Sequence, residues 1–196
     1  MKNKYRIEGN VVYIEINSPK YGRLEVLIDK EDLELVKQYS TWHVHKASNR
    51  SYYINTNTKV NGKYNKLGMH NLIAGTPKGM HTDHIDGNTL NNCKENLRIV
   101  TCSQNFQNKK GDRGTASRFK GVSWRKSSKK WSVRIKVGDK NLYIGTYENE
   151  ITAARMYDKA ALKHYGKYAR LNFSEEDNQN YEYREEYQKY IWKNYV

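Results

Sequence analysis

Asp83 and His84 stand side by side, Asn96 follows His84 by twelve residues, and Asn105 follows Asn96 by nine. Histidine is the natural proton acceptor near neutral pH. A carboxylate and an amide oxygen form a hard-oxygen pair, and magnesium accepts few protein ligands while keeping several waters. One 23-residue stretch, Asp83 to Asn105, therefore holds enough to bind one hard metal ion and activate one water. Phosphodiester hydrolysis needs that set: a nucleophilic water, a proton acceptor, and positive charge on the phosphoryl oxygens. Asn88 and Asn92 compete with Asn105 for the amide role.

The remaining composition suits a polyanionic partner. The chain has 196 residues, a formal charge of +14 and a pI near 9.6, and a charge of that size points to nucleic acid. The excess is concentrated. Residues 106–173 carry 17 Lys/Arg against 5 Asp/Glu, whereas residues 174–196 carry 3 against 6. The first of these segments is expected to be the main phosphate-facing surface. No run of about 18 apolar residues is present, so no membrane span is expected. The N-terminal Met-Lys-Asn-Lys-Tyr-Arg is not followed by an apolar run, so it does not read as a signal peptide. Cys93 and Cys102 match no Cys-x-x-Cys zinc spacing, and a reduced, intracellular setting is the simplest reading. Seventeen tyrosines exceed what a core alone needs and suit stacking and phosphate contact.

Several elements must position these residues. Val11–Ile16 and Leu24–Ile28 read as strands around a Ser18–Gly22 turn, followed by a short helix from Asp29 to Val36 with Asp29 as its N-cap. Trp42–His45, Tyr52–Thr56 and Lys66–His70 read as extended pieces, Met80–His84 as a short strand, and Ile85–Asn88 as a tight turn. Leu90–Asn96 and Cys102–Asn105 read as helical or loop-helical. Phe106 to Arg118 is polar, with no apolar period, and reads as a linker. Beyond it lie three strand-like runs, Gly121–Trp124, Trp131–Val137 and Asn141–Tyr147. In the middle run Val133, Ile135 and Val137 alternate with Arg134 and Lys136, which makes one face apolar and the other basic. Glu150–Tyr165 has helical periodicity with Gly166 at its end, and the tail from Ser174 is acidic and then Tyr-rich. The fold class expected is α+β.

Asp83-His84, Asn96-Leu97-Arg98 and Asn105 resemble the HNH nuclease family, in the variant whose last position is asparagine, found among phage homing endonucleases. That resemblance implies a ββα-metal motif. In it His84 is the general base, Asn96 braces the loop carrying that base, and Asp83 and Asn105 bind one divalent metal, magnesium or manganese rather than zinc. His70 and His81 read first as structural or phosphate-contacting histidines, and Arg98 as a phosphate contact or a solvated helix residue.

Gly121-Val122-Ser123-Trp124-Arg125, Trp131-Ser132-Val133-Arg134-Ile135, Tyr143–Tyr147, Ala153–Ala161 and Leu171-Asn172-Phe173 resemble the plant ethylene-response-factor (Apetala-type) DNA-binding domain. That family lays a three-stranded sheet in the major groove and packs a helix behind it. The resemblance implies that Trp124, Arg125, Lys126, Arg134, Lys136 and Tyr143 face DNA, with Trp131 on the same sheet contacting the backbone or packing. Ser123, Arg134 and Tyr143 depart from the plant pattern, so the plant target sequence does not transfer. The reading is a homing-type endonuclease acting on double-stranded DNA as a monomer, with no small-molecule cofactor, in the cytoplasm of a bacterial host. Residues 1–105 are its nuclease domain, 106–118 the linker, 119–173 the DNA-binding domain and 174–196 the tail. The rivals are a DNA-binding regulator with an inert nuclease remnant and an RNA-directed nuclease.

Overall fold

The computed structural model describes residues 1–48, 51–108 and 116–181. Most of the linker reading, residues 109–115, and the tail beyond Tyr181 lie outside the described residues. The chain forms two compact units, Met1–Phe106 and Gln107–Val196, and its fold is α+β with several small antiparallel sheets.

The first unit opens with a three-stranded sheet, β1 (Tyr5–Glu8), β2 (Val11–Ser18) and β3 (Gly22–Asp29), in that spatial order. Period-two patterning sends Val12, Ile14 and Ile16 of β2 and Val26 and Ile28 of β3 to one buried face. A 3₁₀ turn and helix α1 (Leu33–Lys37) close over that face with Leu33 and Val36. Trp42 fills the centre at 1% exposure, and its indole N–H donates to Val36 O at 3.1 Å. The second sheet is β4 (His43–Ser48), β5 (Ser51–Val60) and β6 (Lys63–Gly68). Asn61 and Gly62 join β5 to β6, both at positive φ, the two-residue turn whose twist matches the strands it joins. Helix α2 (Met69–Ala74) follows and stops at Gly75, left-handed at φ 60°. The antiparallel pair β7 (His81–His84) and β8 (Leu97–Val100) then leads to α3 (Cys102–Asn108).

Three expectations change here. Asp29 stands at the N-cap position of a 3₁₀ turn, Lys30–Asp32, but its side chain makes no cap bond; its carboxylate accepts the backbone N–H of Lys94 at 2.7 Å and so tethers the distant Asn-rich segment. Lys66–His70 is split, because Gly68 ends β6 and α2 starts at Met69, carrying His70 into a helix. Leu90–Asn96 is a loop with a single 3₁₀ turn over Lys94–Asn96, because its asparagines bond locally to backbone groups instead of supporting a helix.

The second unit contains β9 (Val122–Arg125), β10 (Lys130–Val137) and β11 (Lys140–Tyr147), with β10 central, then α4 (Glu150–Tyr165) and a short α5 (Glu175–Gln179). The Asn149 side chain caps α4 by accepting from Ile151 and Thr152 N–H. Val122, Val133, Ile135 and Ile144 pack against Ala153, Ala154, Tyr157 and Ala161 of the helix. Tyr157 also explains Gly121, since a Cβ there would lie 1.9 Å from its ring. Asp158 has no exposed surface, and its carboxylate accepts from Asn172 N at 2.8 Å, Phe173 N at 2.9 Å and Asn178 Nδ2 at 3.0 Å. It therefore pins the Leu171–Phe173 block to α4. Asp158→Ala removes the shared acceptor of these part-buried donors, and it should destabilise the second unit by about 2–4 kcal/mol in denaturant melts, with Asp158→Asn costing less.

Candidate active site and basic sheet

The Asp83–Asn105 stretch folds as a hairpin whose connecting loop is laced by asparagines. Asn96, 6% exposed, accepts the Asp86 backbone N–H at 3.0 Å and donates to Asn91 O at 2.8 Å and Asp86 Oδ1 at 3.0 Å. Its own carbonyl accepts Ile85 N–H at 2.9 Å. Asp86 in turn accepts Asn88 N–H at 2.6 Å. Backbone bonds Leu27 N to Leu90 O and Asn92 N to Leu27 O, 2.9 and 2.8 Å, fasten this loop to β3. Asn96 thus holds the loop that follows His84 closed from within.

His84 ends β7 at 3% exposure. Its Nε2 lies 3.2 Å from Asn92 Oδ1, and Asn92 is itself 1% exposed, with its amide N–H directed at Leu90 O. An amide oxygen at that distance suits the tautomer in which Nε2 carries the proton. Burial pulls the His84 pKa below its ordinary value, against smaller opposing effects of Asn92, Asp86 and Asp83, so the ring is neutral and able to accept a proton. Sequence reasoning gave Asn92 no part in orienting His84. Its place becomes visible only when the loop brings position 92 back onto position 84.

Asp83 stands opposite Arg98 across the hairpin. Its Oδ2 accepts from Arg98 Nε at 2.9 Å and from the terminal nitrogen at 2.8 Å, with the side chains only 9% and 16% exposed. Arg98 is thus on a strand, not a helix, and paired with the candidate metal ligand. Asn105, half-buried, sits in the second turn of α3, its N–H donating to Thr101 O at 3.0 Å. His81 starts β7, exposed, opposite Val100. His70 approaches from α2, its ring 5.4 Å from that of His84 and 5.2 Å from Tyr53, while Tyr53 and His84 lie 6.1 Å apart. Burial, then the neighbouring His84, lowers the His70 pKa to about 4. Among the described residues no three His, Cys, Asp or Glu gather into a metal cage. Asp83 and Asn105 offer hard oxygens, and Asp83 is already paired with the Arg98 guanidinium. Such a donor set fits a magnesium-like ion with few protein ligands.

In the second unit the basic residues share one face. Arg134 stands opposite Tyr143 and Lys136 opposite Asn141, all exposed, while Val133 and Ile135 between them are buried against α4. A β-bulge between Val133 and Arg134 leaves Ile144 buried and Tyr143 on the open face at 50% exposure. Arg125 shares the strand parity of Arg134 through its partner Lys130. Lys126 lies exposed in the β9–β10 turn. Trp124 and Trp131 stand opposite one another, rings edge-on at 4.9 Å, on the parity of Val122 and Val133. Trp131 packs on the core, and Trp124 remains 40% exposed at the sheet end.

Comparison with known families gives two matches: "HNH endonuclease" over residues 74–107 and "AP2 domain" over residues 117–167. The chain carries an HNH endonuclease domain and an AP2 domain. An HNH endonuclease of Acanthamoeba polyphaga mimivirus is 33% identical over 124 residues, 55% of this chain and 58% of that protein. Protein 3.8 of Escherichia phage T7 is 44% identical over 55 residues, 28% of this chain and 46% of that protein. APETALA2-like protein 2 of Oryza sativa is 33% identical over 69 residues, 35% of this chain and 16% of that protein. The chain thus spans less than two thirds of each of these relatives. No solved structure matches it. Among the described residues no helix is long and apolar enough to cross a membrane.

Two outcomes test the HNH geometry. Arg98→Ala leaves Asp83 buried without its guanidinium and should cost about 2–4 kcal/mol of stability in metal-free buffer by denaturant titration. The folded His70 pKa lies below the unfolded 6.5, so the unfolded state binds the extra proton and stability falls with pH between 6.5 and about 4. Relative to His70→Gln, the wild-type chain should lose about 2 kcal/mol across that window.

Proposed function

We propose that this chain is a site-specific, homing-type endonuclease that hydrolyses phosphodiester bonds in double-stranded DNA. Residues 1–105 would cut, and residues 119–173 would find and hold the site. The observation that carries the reading is His84: a buried, neutral imidazole held through Nε2 by Asn92, with Asp83 adjacent in sequence. His84 takes a proton from the attacking water. Asn96 keeps the His84 loop closed, and Asn92 keeps the imidazole in one tautomer. Asp83 and Asn105 would hold one divalent ion, magnesium or manganese, which when bound supplies positive charge for the phosphoryl oxygens and the leaving oxygen. Arg98 would keep Asp83 oriented toward the site.

The AP2 sheet would present Arg125, Arg134, Lys136 and Tyr143 to the duplex, with Lys126 reaching a flanking phosphate and Trp124 at the sheet end. Trp131 would support Trp124 from the core side. The phage relative supports action inside a bacterial host cell.

His84→Ala should lower magnesium-dependent plasmid nicking roughly 10²- to 10⁴-fold while duplex affinity stays within about twofold. Cutting at the wild-type rate would remove His84 as the base, and absence of cutting by the wild-type chain would favour a DNA-binding regulator. Once the site is known from end sequencing, Arg134→Ala should weaken its binding by about 1–3 kcal/mol in anisotropy titrations.

A further inference from the structure

Between Glu34 and Asp83 the chain contains no acidic residue, yet carries seven Lys/Arg and four histidines. The flanks differ: residues 1–34 hold 6 Lys/Arg against 7 Asp/Glu, and residues 83–105 hold 2 against 3. The acid-free stretch builds β4, β5 and β6. On one face of that sheet Val44 and Ile54 pack into the core. On the other, strand pairing aligns His43 with Asn55, His45 with Tyr53, Asn57 with Lys66, and Lys59 with Tyr64. Directly opposed residues in antiparallel strands share a face. His43, His45, Asn57, Lys59 and Lys66 are exposed, and Tyr64 is 78% exposed with the Lys59 ammonium 5.8 Å above its ring. A tyrosine that far out contributes nothing to a core, and a face of donors and cations without a carboxylate complements a polyanion.

Tyr53 lies on this same face. Its ring is 5.2 Å from that of His70 and 6.1 Å from that of His84, so the polar face runs up to the candidate base. By contrast, the open side of the first sheet pairs its cations internally, Arg6 with Glu8 and Glu25, and Arg23 with Glu15. Resting on the nuclease reading above, we propose that the outer face of β4–β5–β6 is a second duplex-binding track. It grips the phosphates beside the scissile bond through Lys59 and Lys66 and leads the strand to His84. The AP2 sheet then sets where the protein binds, and this face sets which phosphate is reached.

The test uses the full-length chain carrying His84→Ala, a linear DNA duplex as probe, and affinity measured against salt concentration. Each phosphate contact contributes about 0.9 to the slope of log K on log salt, so K59Q/K66Q should lower it by about 2. K63Q, on the opposite face of the same hairpin, should leave it unchanged, and R134Q/K136Q should lower it independently. Equal thermal melts establish that the variants are folded. If R134Q/K136Q lowers the slope and K59Q/K66Q does not, the track is overturned while the DNA-binding reading stands. If neither changes it, the DNA-binding reading itself fails. If K63Q acts as strongly as K59Q/K66Q, diffuse charge explains the effect and the track is again overturned.

Discussion

The HNH half depends on one side chain's bonds. Asn96 spends both ends of its amide inside a loop that would otherwise be a run of solvated asparagines. Its Oδ1 accepts the Asp86 N–H, and its amide nitrogen donates to Asn91 O and the Asp86 carboxylate. Hydrogen bonds inside a buried network cost more to leave unmade than they gain one at a time, so the loop adopts one conformation. That conformation carries Asn92 onto His84 and Leu90 onto β3. The candidate base is therefore oriented by a network of asparagine amides that includes the Asp86 carboxylate.

The hairpin also explains how a chain this basic keeps a carboxylate at its centre. Asp83 and Arg98 face each other because β7 and β8 run antiparallel with that register, and little of either side chain reaches water. A buried ion pair specifies geometry more than it stabilises, since desolvating both charges offsets much of their attraction. Here it holds the Asp83 carboxylate at one place on β7, next in sequence to His84.

The two units use the same device differently. In each, a three-stranded sheet buries one set of alternating residues and leaves the other set polar. In the AP2 domain the buried set packs on α4, and Asp158 stitches the chain that follows to that helix. In the HNH half the buried set of β4–β5–β6 joins the core around Trp42, and the open set borders the histidines.

The sequence by itself determined which residue types were available and roughly which elements carried them. Asp83, His84, Asn96 and Asn105 stood out by spacing. The alternation around Arg134 and Lys136 defined a two-faced strand, because a period of two is a local property of extended chain. The helix Glu150–Tyr165 was legible to the residue from its periodicity and its terminal glycine. Local reasoning placed Asp29 at an N-cap but missed its side chain's partner, which lies 65 residues away. It left Leu90–Asn96 between helix and loop-helix, since competition from asparagine side chains is decided by the partners the fold supplies. The family resemblance put Trp124 beside the cations, whereas strand pairing gives it the parity of Val122. Only the tertiary structure decided that Asn92 faces His84, that Arg98 holds Asp83, and that Tyr53 and His70 close around the base. Each of those contacts joins residues on different elements, and long-range closure is set by the packing of the whole core rather than by any local pattern.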